Sequence, residues 1–322
     1  MASLVAAPHL HDPLAVLILG PTGSGKTALS LALGEHFHGE IISCDSVAVY
    51  RGMDLGSAKP SAEEQSRVPH HLIDVASPDH PFTAGEYSRQ ARHAMRQIAR
   101  RGHLPLVTGG TGLYLRALTM GLFSGPARQE DLRARLVRSE SRHKSGWLHR
   151  MLQRLDPTSA ARIHANDAPK LIRALEVCLT AKQPLSAAFA SGRDPLTGFR
   201  LLRIGLNPPR KELYDRLNRR AAQMFRAGLI EETSSLLAHY GRVKALEALG
   251  YRQALAALDS AMPLEEAINA AQQGHRNYAK RQLTWFRREP EVHWIDSFGD
   301  FPQTIQTATD LLRQAISRHP LD

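Results

Sequence analysis

The segment GPTGSGKT, residues 20–27, combines the residue types of a phosphate-binding loop with their characteristic spacing. It follows an apolar run, residues 14–19, and precedes a stretch with helical spacing, so the loop would join a strand to a helix. Backbone N–H groups of such a loop approach phosphate oxygens, and the helix directs its positive end at them. Lys26 can neutralise a terminal phosphate, and the Thr27 hydroxyl can bind magnesium or a phosphate oxygen. The candidate phosphate-binding residues are Gly20, Pro21, Thr22, Gly23, Ser24, Gly25, Lys26 and Thr27.

One carboxylate, Asp45, follows a second apolar run, residues 40–44, and would lie beside this loop at the carboxyl edge of a sheet. It could be a magnesium ligand, as in a kinase, or a general base beside a diphosphate. A third apolar run, residues 104–108, continues into Gly-Gly instead of the acidic residue that nucleotide hydrolases carry there. The residues therefore leave open whether the bound phosphate belongs to a nucleotide.

Two arginines, Arg216 and Arg220, are four positions apart in RKELYDRLNRRAAQMF, a segment with helical spacing. On a helix they would share one face, so both guanidinium groups could converge on one phosphate group. This segment would then add cations to the site that Lys26 begins.

The elements that must position these residues form an alternating pattern of apolar runs and helical stretches, which is typical of a parallel α/β sheet. Strands are expected at residues 14–19, 40–44, 104–108, 199–206 and 292–295. Helical spacing covers residues 27–37, 84–101 and, with a break at Pro263, the stretch from 209 to about 288. The pattern predicts a P-loop NTPase-like core of parallel strands flanked by helices, built from residues 1–120 and 200–322. Residues 121–199 are expected to form an all-helical insertion.

Composition narrows the class of protein. The chain has 322 residues, 43% of them hydrophobic, and a formal net charge of +10, which favours a polyanionic partner. It lacks an 18-residue apolar run and a basic segment at its start, so we expect neither a membrane span nor a signal peptide, and a cytoplasmic protein. Two cysteines, Cys44 and Cys178, cannot form a four-cysteine zinc site, and both are expected to be buried. Adjacent His70 and His71 would point to opposite faces of a strand, so a structural role is favoured.

Seven blocks of the chain resemble the motifs of bacterial tRNA dimethylallyltransferases, also called tRNA isopentenyltransferases or IPP transferases. Besides GPTGSGKT they are CDSVAVYRGMDLGSAKP (residues 44–60), PHHLIDVASP (69–78), LVTGGTGLYLRAL (106–118), RIHANDAPKLIRALEV (162–177), ALGYRQAL (248–255) and YAKRQLTWFRRE (278–289). The blocks occur in the order that the family has, and together they cover roughly residues 14 to 295.

This resemblance implies transfer of a dimethylallyl group from dimethylallyl diphosphate to N6 of adenosine 37, next to the tRNA anticodon, with release of diphosphate. It implies Mg²⁺ as the cofactor, with Thr27 as a metal ligand, and the chemistry needs its leaving group stabilised in this way. Asp45 is implied as the base that accepts the proton of the adenine amine, and Arg220 as the pyrophosphate-binding arginine beside Lys26 and Thr27. Thr111 is implied as a substrate contact.

The partners implied are dimethylallyl diphosphate and the anticodon stem-loop of tRNA, with the protein a monomer. An adenine of that loop must be extruded into a pocket while cations hold the backbone. Residues 128–154 carry eight Lys or Arg against three Asp or Glu, which suits this role. Trp285 would lie between Arg281 and Arg288 on a helix and could stack a base. The tRNA contacts implied by the family are Asp45, Ser46, Val47, Ala48, Thr111, Arg133, Pro169, Lys170, Leu171, Ile172, Arg173, Gly250, Tyr251, Arg252, Lys280, Arg281, Gln282, Trp285 and Arg287.

Two other functions fit part of the pattern. A P-loop kinase for a small metabolite would use ATP and Asp45 as its base, but it gives no reason for the basic insertion. An ATP-regulated RNA-binding protein would explain the loop and the charge, and for it Asp45 would be dispensable.

Overall fold

The structure, a computed structural model, describes residues 12–123, 125–126, 128–190 and 192–317. Its strands are β1 (Leu14–Leu19), β2 (Gly39–Cys44), β3 (His70–His71), β4 (Leu104–Gly109), β5 (Arg200–Leu206) and β6 (Val292–Ile295). Its helices are α1 (Lys26–His36), α2 (Ala62–Arg67), α3 (Ala84–Arg100), α4 (Gly112–Thr119), α5 (Glu130–Arg142), α6 (Trp147–Leu155), α7 (Pro157–Ala160), α8 (Ala168–Ala181), α9 (Leu185–Ala190), α10 (Arg210–Arg226), α11 (Leu229–Tyr240), α12 (Tyr251–Leu258), α13 (Leu264–Phe286) and α14 (Pro302–Ser317).

Within the described residues, six strands form one parallel sheet in the order β3-β2-β4-β1-β5-β6. The chain passes from β1 towards one edge of the sheet, through β2 and β3, and returns through β4. After β5, on the other side of β1, it continues to the opposite edge. Such a reversal of strand order opens a crevice at the carboxyl ends of the strands. The predicted α/β fold, a parallel sheet flanked by helices, is confirmed.

Different helices cover the two faces of the sheet because side chains alternate along each strand. Leu17 of β1 packs in a cluster with Met95 of α3 and residues of α4. Its neighbour Ile18 faces the other way, towards Leu29 of α1 and Leu312 of α14. Each such side chain is fully buried, and burying one stabilises the fold by about 1.5–3 kcal/mol.

The observed boundaries agree with the expected ones to within one residue for β1, β2, β4, β5, β6, α1 and α3. β3 was not predicted, because two residues are too few to show a periodic pattern; it pairs with β2 at Ile41 and Ile42. The break expected at Pro263 is the start of α13.

Both cysteines are buried, as expected. No helix in the ranges that the structure describes is long and apolar enough to span a membrane.

Contacts divide the chain into two compact units. One contains the sheet and comprises residues 12–119 and 196–317 of the described chain. The other is the segment Met120–Pro195, which holds α5 to α9. Its core includes Leu148 and Leu152 of α6 and Leu171 and Leu175 of α8.

A buried carboxylate ties the loops of this helical unit together. Asp156 is 1% exposed and accepts hydrogen bonds from the backbone N–H and the hydroxyl of Ser159. It accepts two more from the backbone N–H and hydroxyl of Ser186, both at 2.8 Å. Burial by itself would raise the pKa of Asp156, but these hydrogen bonds lower it, so the carboxylate stays charged.

Glu40 of β2 should make the free energy of unfolding of the sheet unit depend on pH in the acid range. Its side chain is 5% exposed and bonds to Arg101, with His71 Nε2 and His103 Nδ1 each 2.7 Å away. Burial raises its pKa, but these hydrogen bonds outweigh burial and hold the pKa at about 2, below the ordinary 4.5. The stability that the carboxylate contributes is therefore present above pH 4.5 and lost as the pH falls towards 2.

We expect Glu40→Gln to flatten the acid side of the stability profile. The measurement is urea unfolding between pH 7 and pH 3, with the exposed Glu63→Gln as the control. Parallel profiles for Glu40→Gln and the parent would show that the carboxylate is not linked to stability.

Candidate active site

The phosphate-binding loop leaves β1 and enters α1 through glycines in left-handed conformations. Gly25, at the N-cap of α1, has φ 88°. A Cβ atom there would lie 2.7 Å from both Gly299 N and Asp300 Oδ1, so no other residue fits. The loop thereby presents the start of α1, with Lys26 and Thr27, to the carboxyl edge of the sheet.

The Lys26 side chain is held over the phosphate-binding loop by backbone carbonyls of that loop. Its Nζ donates hydrogen bonds to Gly20 O at 2.9 Å and to Pro21 O at 2.8 Å. Burial and, next, the positive charge of Arg220 lower the pKa of Lys26 to about 7, and Asp45 opposes the shift. A bound diphosphate would supply the missing negative charge and raise this pKa again.

Binding of inorganic diphosphate should therefore take up more protons in the parent than in Lys26→Arg at pH 8, and nearly the same number at pH 6. The sign follows from Lys26, which is mostly neutral at pH 8 in the free protein and charged in the complex. Calorimetry in buffers of different ionisation enthalpy measures the uptake. Lys26→Arg, whose side chain stays charged, reports the protons of the ligand itself. Equal uptake by the parent and Lys26→Arg at pH 8 would contradict the lowered pKa.

Asp45 follows β2 and is fixed in a turn by its own backbone. Its Oδ1 accepts hydrogen bonds from Val47 N at 2.8 Å and from Ala48 N at 3.2 Å. These bonds occupy one carboxylate oxygen, which leaves Oδ2 for an incoming proton. Asp45, Lys26, Thr27 and Arg220 line the same cleft, so the structure brings together the four residues with expected catalytic roles.

The turn after β4 holds the turn after β2. Thr111 Oγ1 accepts a hydrogen bond from Ser46 N at 3.0 Å, and Thr111 N donates to Cys44 O at 3.1 Å. Gly109 allows this approach, because a Cβ atom there would lie 2.1 Å from Cys44 O. In this position Thr111 acts on the Asp45 turn, a contact that spacing along the chain could not indicate.

Gln282 joins the phosphate-binding loop to the turn after β4. Its Oε1 accepts a hydrogen bond from Thr22 N at 2.7 Å, and its Nε2 donates to Gly110 O at 2.8 Å. The side chain is 4% exposed, so it holds the two loops rather than presenting a polar group on the surface. Gln282 also lines the cleft, so its expected contact with tRNA stays a prediction.

Arg220 points into the cleft from α10 and donates to Thr22 Oγ1 at 3.3 Å. Burial lowers its pKa, an effect that Asp45 opposes, but a guanidinium remains charged. His275 is buried nearby, and burial together with the charge of Arg220 lowers the pKa of His275 to about 4, so it is neutral.

The predicted convergence of Arg216 with Arg220 is only partly formed. Arg216 lines the cleft, but it makes two hydrogen bonds to Asp300, at 2.9 and 3.1 Å, and lies over the Phe298 ring. This carboxylate neutralises it. Arg220 is thus the arginine of the pair with charge to offer an anion.

The cleft has a volume of about 390 Å³ and lies entirely within the sheet unit. It also includes Lys59, Tyr278 and Asp300, which sequence reasoning did not single out. A signal for Tyr278 was available, because it lies four residues before Gln282 on one helix and so shares its face. Asp300 gave none, since it follows β6 outside every recognised block.

The donor set of the cleft is compatible with Mg²⁺ bound together with a diphosphate. Magnesium retains waters and needs one or two protein oxygens when phosphates supply others. The Thr27 hydroxyl and the Asp45 carboxylate are oxygens of this kind in one cleft. Within the described residues, no cluster of three or more His, Cys, Asp or Glu side chains forms a metal cage.

Several residues expected to contact tRNA are buried. Leu171 and Ile172 are 1% and 7% exposed in the core of the helical unit, and Tyr251 is 0% exposed in the sheet unit. Ala48 is 4% exposed but lines the cleft. In this structure the side chains of Leu171, Ile172 and Tyr251 pack in apolar clusters, and their expected tRNA contacts stay predictions.

Two expected tRNA contacts, Arg133 and Arg173, share a buried carboxylate instead of standing free. Both donate to Oε2 of Glu176, which is fully buried, at 3.1 and 2.5 Å. Glu176 also accepts from Gln129 N at 2.7 Å. This pairing was not predicted, because Arg133 and Glu176 are 43 positions apart.

Of the remaining expected contacts, Gly250 is buried, and Ser46 and Val47 are partly buried. Exposed side chains belong to Pro169, Lys170, Arg252, Lys280, Arg281, Trp285 and Arg287. Trp285 is 40% exposed. Arg281 and Trp285 lie on α13 as expected, whereas Arg288 lies beyond the end of this helix at Phe286, shortly before Pro290. Arg281 lies over the Tyr278 ring.

Known proteins have similar sequences. A family model described as IPP transferase matches residues 48–289. A tRNA dimethylallyltransferase of Koribacter versatilis is 60% identical over 305 residues, which are 94% of this chain and 99% of the relative. One of Solibacter usitatus is 53% identical over 297 residues, 92% of this chain and 96% of the relative.

Solved structures share the fold. The full-length tRNA isopentenylpyrophosphate transferase of Bacillus halodurans is 38% identical, with a TM-score of 0.71 over 96% of this chain and 98% of that one. A eukaryotic dimethylallyltransferase acting on tRNA is 25% identical, with a TM-score of 0.81 over 97% of this chain and 81% of that one. Because the family model matches most of the sequence and close relatives match over nearly their whole length, this chain belongs to the IPP transferase family.

Proposed function

We propose that this protein transfers a dimethylallyl group from dimethylallyl diphosphate to N6 of adenosine 37 in tRNA and releases diphosphate. The observation that carries this proposal is one cleft in which a phosphate-binding loop, two partly buried cations and a fixed carboxylate meet. Lys26 and Arg220 both line this cleft and can pair with the oxygens of a diphosphate, whose charge favours the protonated form of Lys26. The names of the relatives support the same reaction.

In the proposed reaction the bond from C1 of the allyl group to the diphosphate oxygen breaks, and a bond from N6 of adenine to C1 forms. Lys26, Arg220 and the loop N–H groups stabilise the charge that develops on the diphosphate. Asp45 Oδ2 accepts the proton that N6 loses, while the turn at Val47 and Ala48 keeps the carboxylate in place.

The Thr27 hydroxyl would hold Mg²⁺ together with the diphosphate oxygens, which leaves Asp45 free to act as the base. Bound magnesium would neutralise part of the leaving-group charge. Thr27 is at the start of α1, where the helix N-terminus favours the same anion.

The tRNA partner should be held by exposed cations of the two units. Arg135 and Arg138 of α5 and Lys280 and Arg287 at the end of α13 are exposed and suit phosphate contacts. Adenosine 37 would be extruded from the anticodon loop to reach Asp45. We further propose that the protein acts as a monomer in the cytoplasm.

The test is a reaction with Mg²⁺, labelled dimethylallyl diphosphate and tRNA that lacks the modification, followed by digestion to nucleosides. We expect the label in N6-dimethylallyladenosine, and its loss when adenosine 37 is replaced by guanosine. Label at another nucleoside, or none in any tRNA, would overturn the proposal.

A further inference from the structure

The loop between Asp54 and Pro60 forms part of the cleft, but the reaction proposed above gives it no task. Ser57, Ala58, Lys59 and Pro60 all line the cleft. Ala58 has φ 50°, a left-handed conformation that alanine adopts only when the surrounding structure enforces it. Something outside the loop must therefore hold it in shape.

One anchor of this loop is Glu232 of α11. Its carboxylate accepts Leu55 N–H through both oxygens, at 3.2 and 2.9 Å, and accepts the Tyr251 hydroxyl at 2.6 Å. The bond to Leu55 joins residues 177 positions apart. Tyr251 is fully buried, and a Cβ atom on Gly56 would lie 2.4 Å from its ring, so the ring packs directly on the loop backbone.

A second anchor lies inside the loop and removes its positive charge. Lys59 Nζ donates to Tyr50 O at 2.7 Å, to Asp54 Oδ1 at 2.6 Å and to Asp74 Oδ1 at 2.5 Å. Its side chain is 4% exposed. Because two carboxylates neutralise Lys59, the loop is a poor partner for a diphosphate.

The surface that the loop offers to the cleft includes, besides Ser57 and the paired Lys59, an apolar part. Ala58 and Pro60 line it together with Ala48 and Ile73 from neighbouring segments. Ile73 lies between Leu72 (φ 62°) and Asp74 (φ 56°), both left-handed, so this second segment is also held in a strained form. Apolar contacts of this kind suit a small hydrocarbon group.

We propose that Glu232 and Tyr251 are positioning residues that set the affinity of the cleft for the hydrocarbon part of the allylic diphosphate. They act by holding the loop 54–60 against that group, whereas the diphosphate is held independently by Lys26 and Arg220. This inference rests on the proposed function, because it takes the small substrate to be an allylic diphosphate. It gives Tyr251 a buried role in place of the tRNA contact that the family resemblance implied.

The proposal predicts that two ligands respond differently to Tyr251→Phe. Losing a hydrogen bond to a charged partner should raise KM for dimethylallyl diphosphate about tenfold. The inhibition constant of inorganic diphosphate should stay within about twofold, since it reports only the phosphate site, and kcat should change little. Glu232→Ala tests the same role by removing the carboxylate that anchors the loop. If Glu232→Ala does not fold, Tyr251→Phe carries the test, because it keeps the ring packed on Gly56.

Two controls separate this role from a general loss of structure. Glu232→Gln keeps an oxygen for Leu55 N–H and should recover most of the affinity. Glu231→Ala removes an exposed acidic side chain from the same helix and should leave both constants unchanged. Thermal unfolding of each variant establishes that it is folded.

Two results would overturn the proposal. Equal rises in KM and in the inhibition constant of diphosphate would show that Glu232 and Tyr251 support the phosphate site as well. Unchanged constants in folded Tyr251→Phe and Glu232→Ala would show that these two residues do not act on the cleft. If the unaltered protein cannot use dimethylallyl diphosphate, the proposed function itself fails, and that outcome is seen before any variant is made.

Discussion

Asp45→Asn is expected to slow single-turnover transfer about a thousandfold, within the range that a positioned general base contributes. The amine of adenine is a weak nucleophile, and an amide cannot accept the proton that leaves it. Affinity for tRNA should stay within about threefold, because removal of a group used only in the chemical step leaves ground-state binding intact.

The asparagine variant isolates the chemistry because it keeps the turn. Its side-chain oxygen can still accept from Val47 N and Ala48 N, as Oδ1 does in the parent. Asp45→Ala removes the turn contacts as well and should also weaken binding. Quench-flow with enzyme in excess measures transfer, and filter binding measures tRNA affinity. Normal transfer with weakened tRNA binding in Asp45→Asn would assign the residue to recognition.

Arg220→Ala is expected to lower kcat on the order of a hundredfold, the effect of removing one preorganised donor at a developing charge. Arg220 points into the cleft, and among the described residues it donates a hydrogen bond to the neutral Thr22 hydroxyl and to no carboxylate. Its charge is therefore available to the diphosphate, and it matters most when the carbon–oxygen bond breaks.

Two neighbours on α10 serve as matched controls. Arg219→Ala removes an exposed guanidinium one position away and should leave kcat unchanged. Arg216→Ala removes one that is already paired with Asp300, so its effect should be smaller than that of Arg220→Ala. A parent-like rate for Arg220→Ala in steady-state assays with saturating substrates would remove Arg220 from the catalytic set.

Local pattern was enough to predict the parallel sheet and the loop that binds phosphate. β1 is a continuous apolar run because both of its faces are buried, and the glycines of the loop follow it directly. Asp45 was predictable for the same reason, since it comes next after β2. β3 was not, because two residues carry no period.

Contacts between distant parts of the chain could not be predicted. Gln282 is 260 positions from Thr22, and the packing of α13 within the sheet unit brings it to the phosphate-binding loop. Arg216 and Asp300 are 84 positions apart. Their pairing neutralises an arginine that its spacing from Arg220 had correctly placed beside the cleft. Charge at a position is visible in a sequence, whereas the partner that neutralises it is not.

In the proposed reaction the loop binds the diphosphate leaving group of an alkyl transfer. The ratio of released diphosphate to prenylated adenosine tests this most directly. The measurement is a single turnover with enzyme in excess over unmodified tRNA, with ATP present beside dimethylallyl diphosphate, in which released diphosphate and prenylated adenosine are both counted. We predict one diphosphate per prenylated adenosine and no phosphate transferred from ATP. Transfer of the γ-phosphate of ATP to an acceptor, or diphosphate release without prenylated adenosine, would contradict the claim.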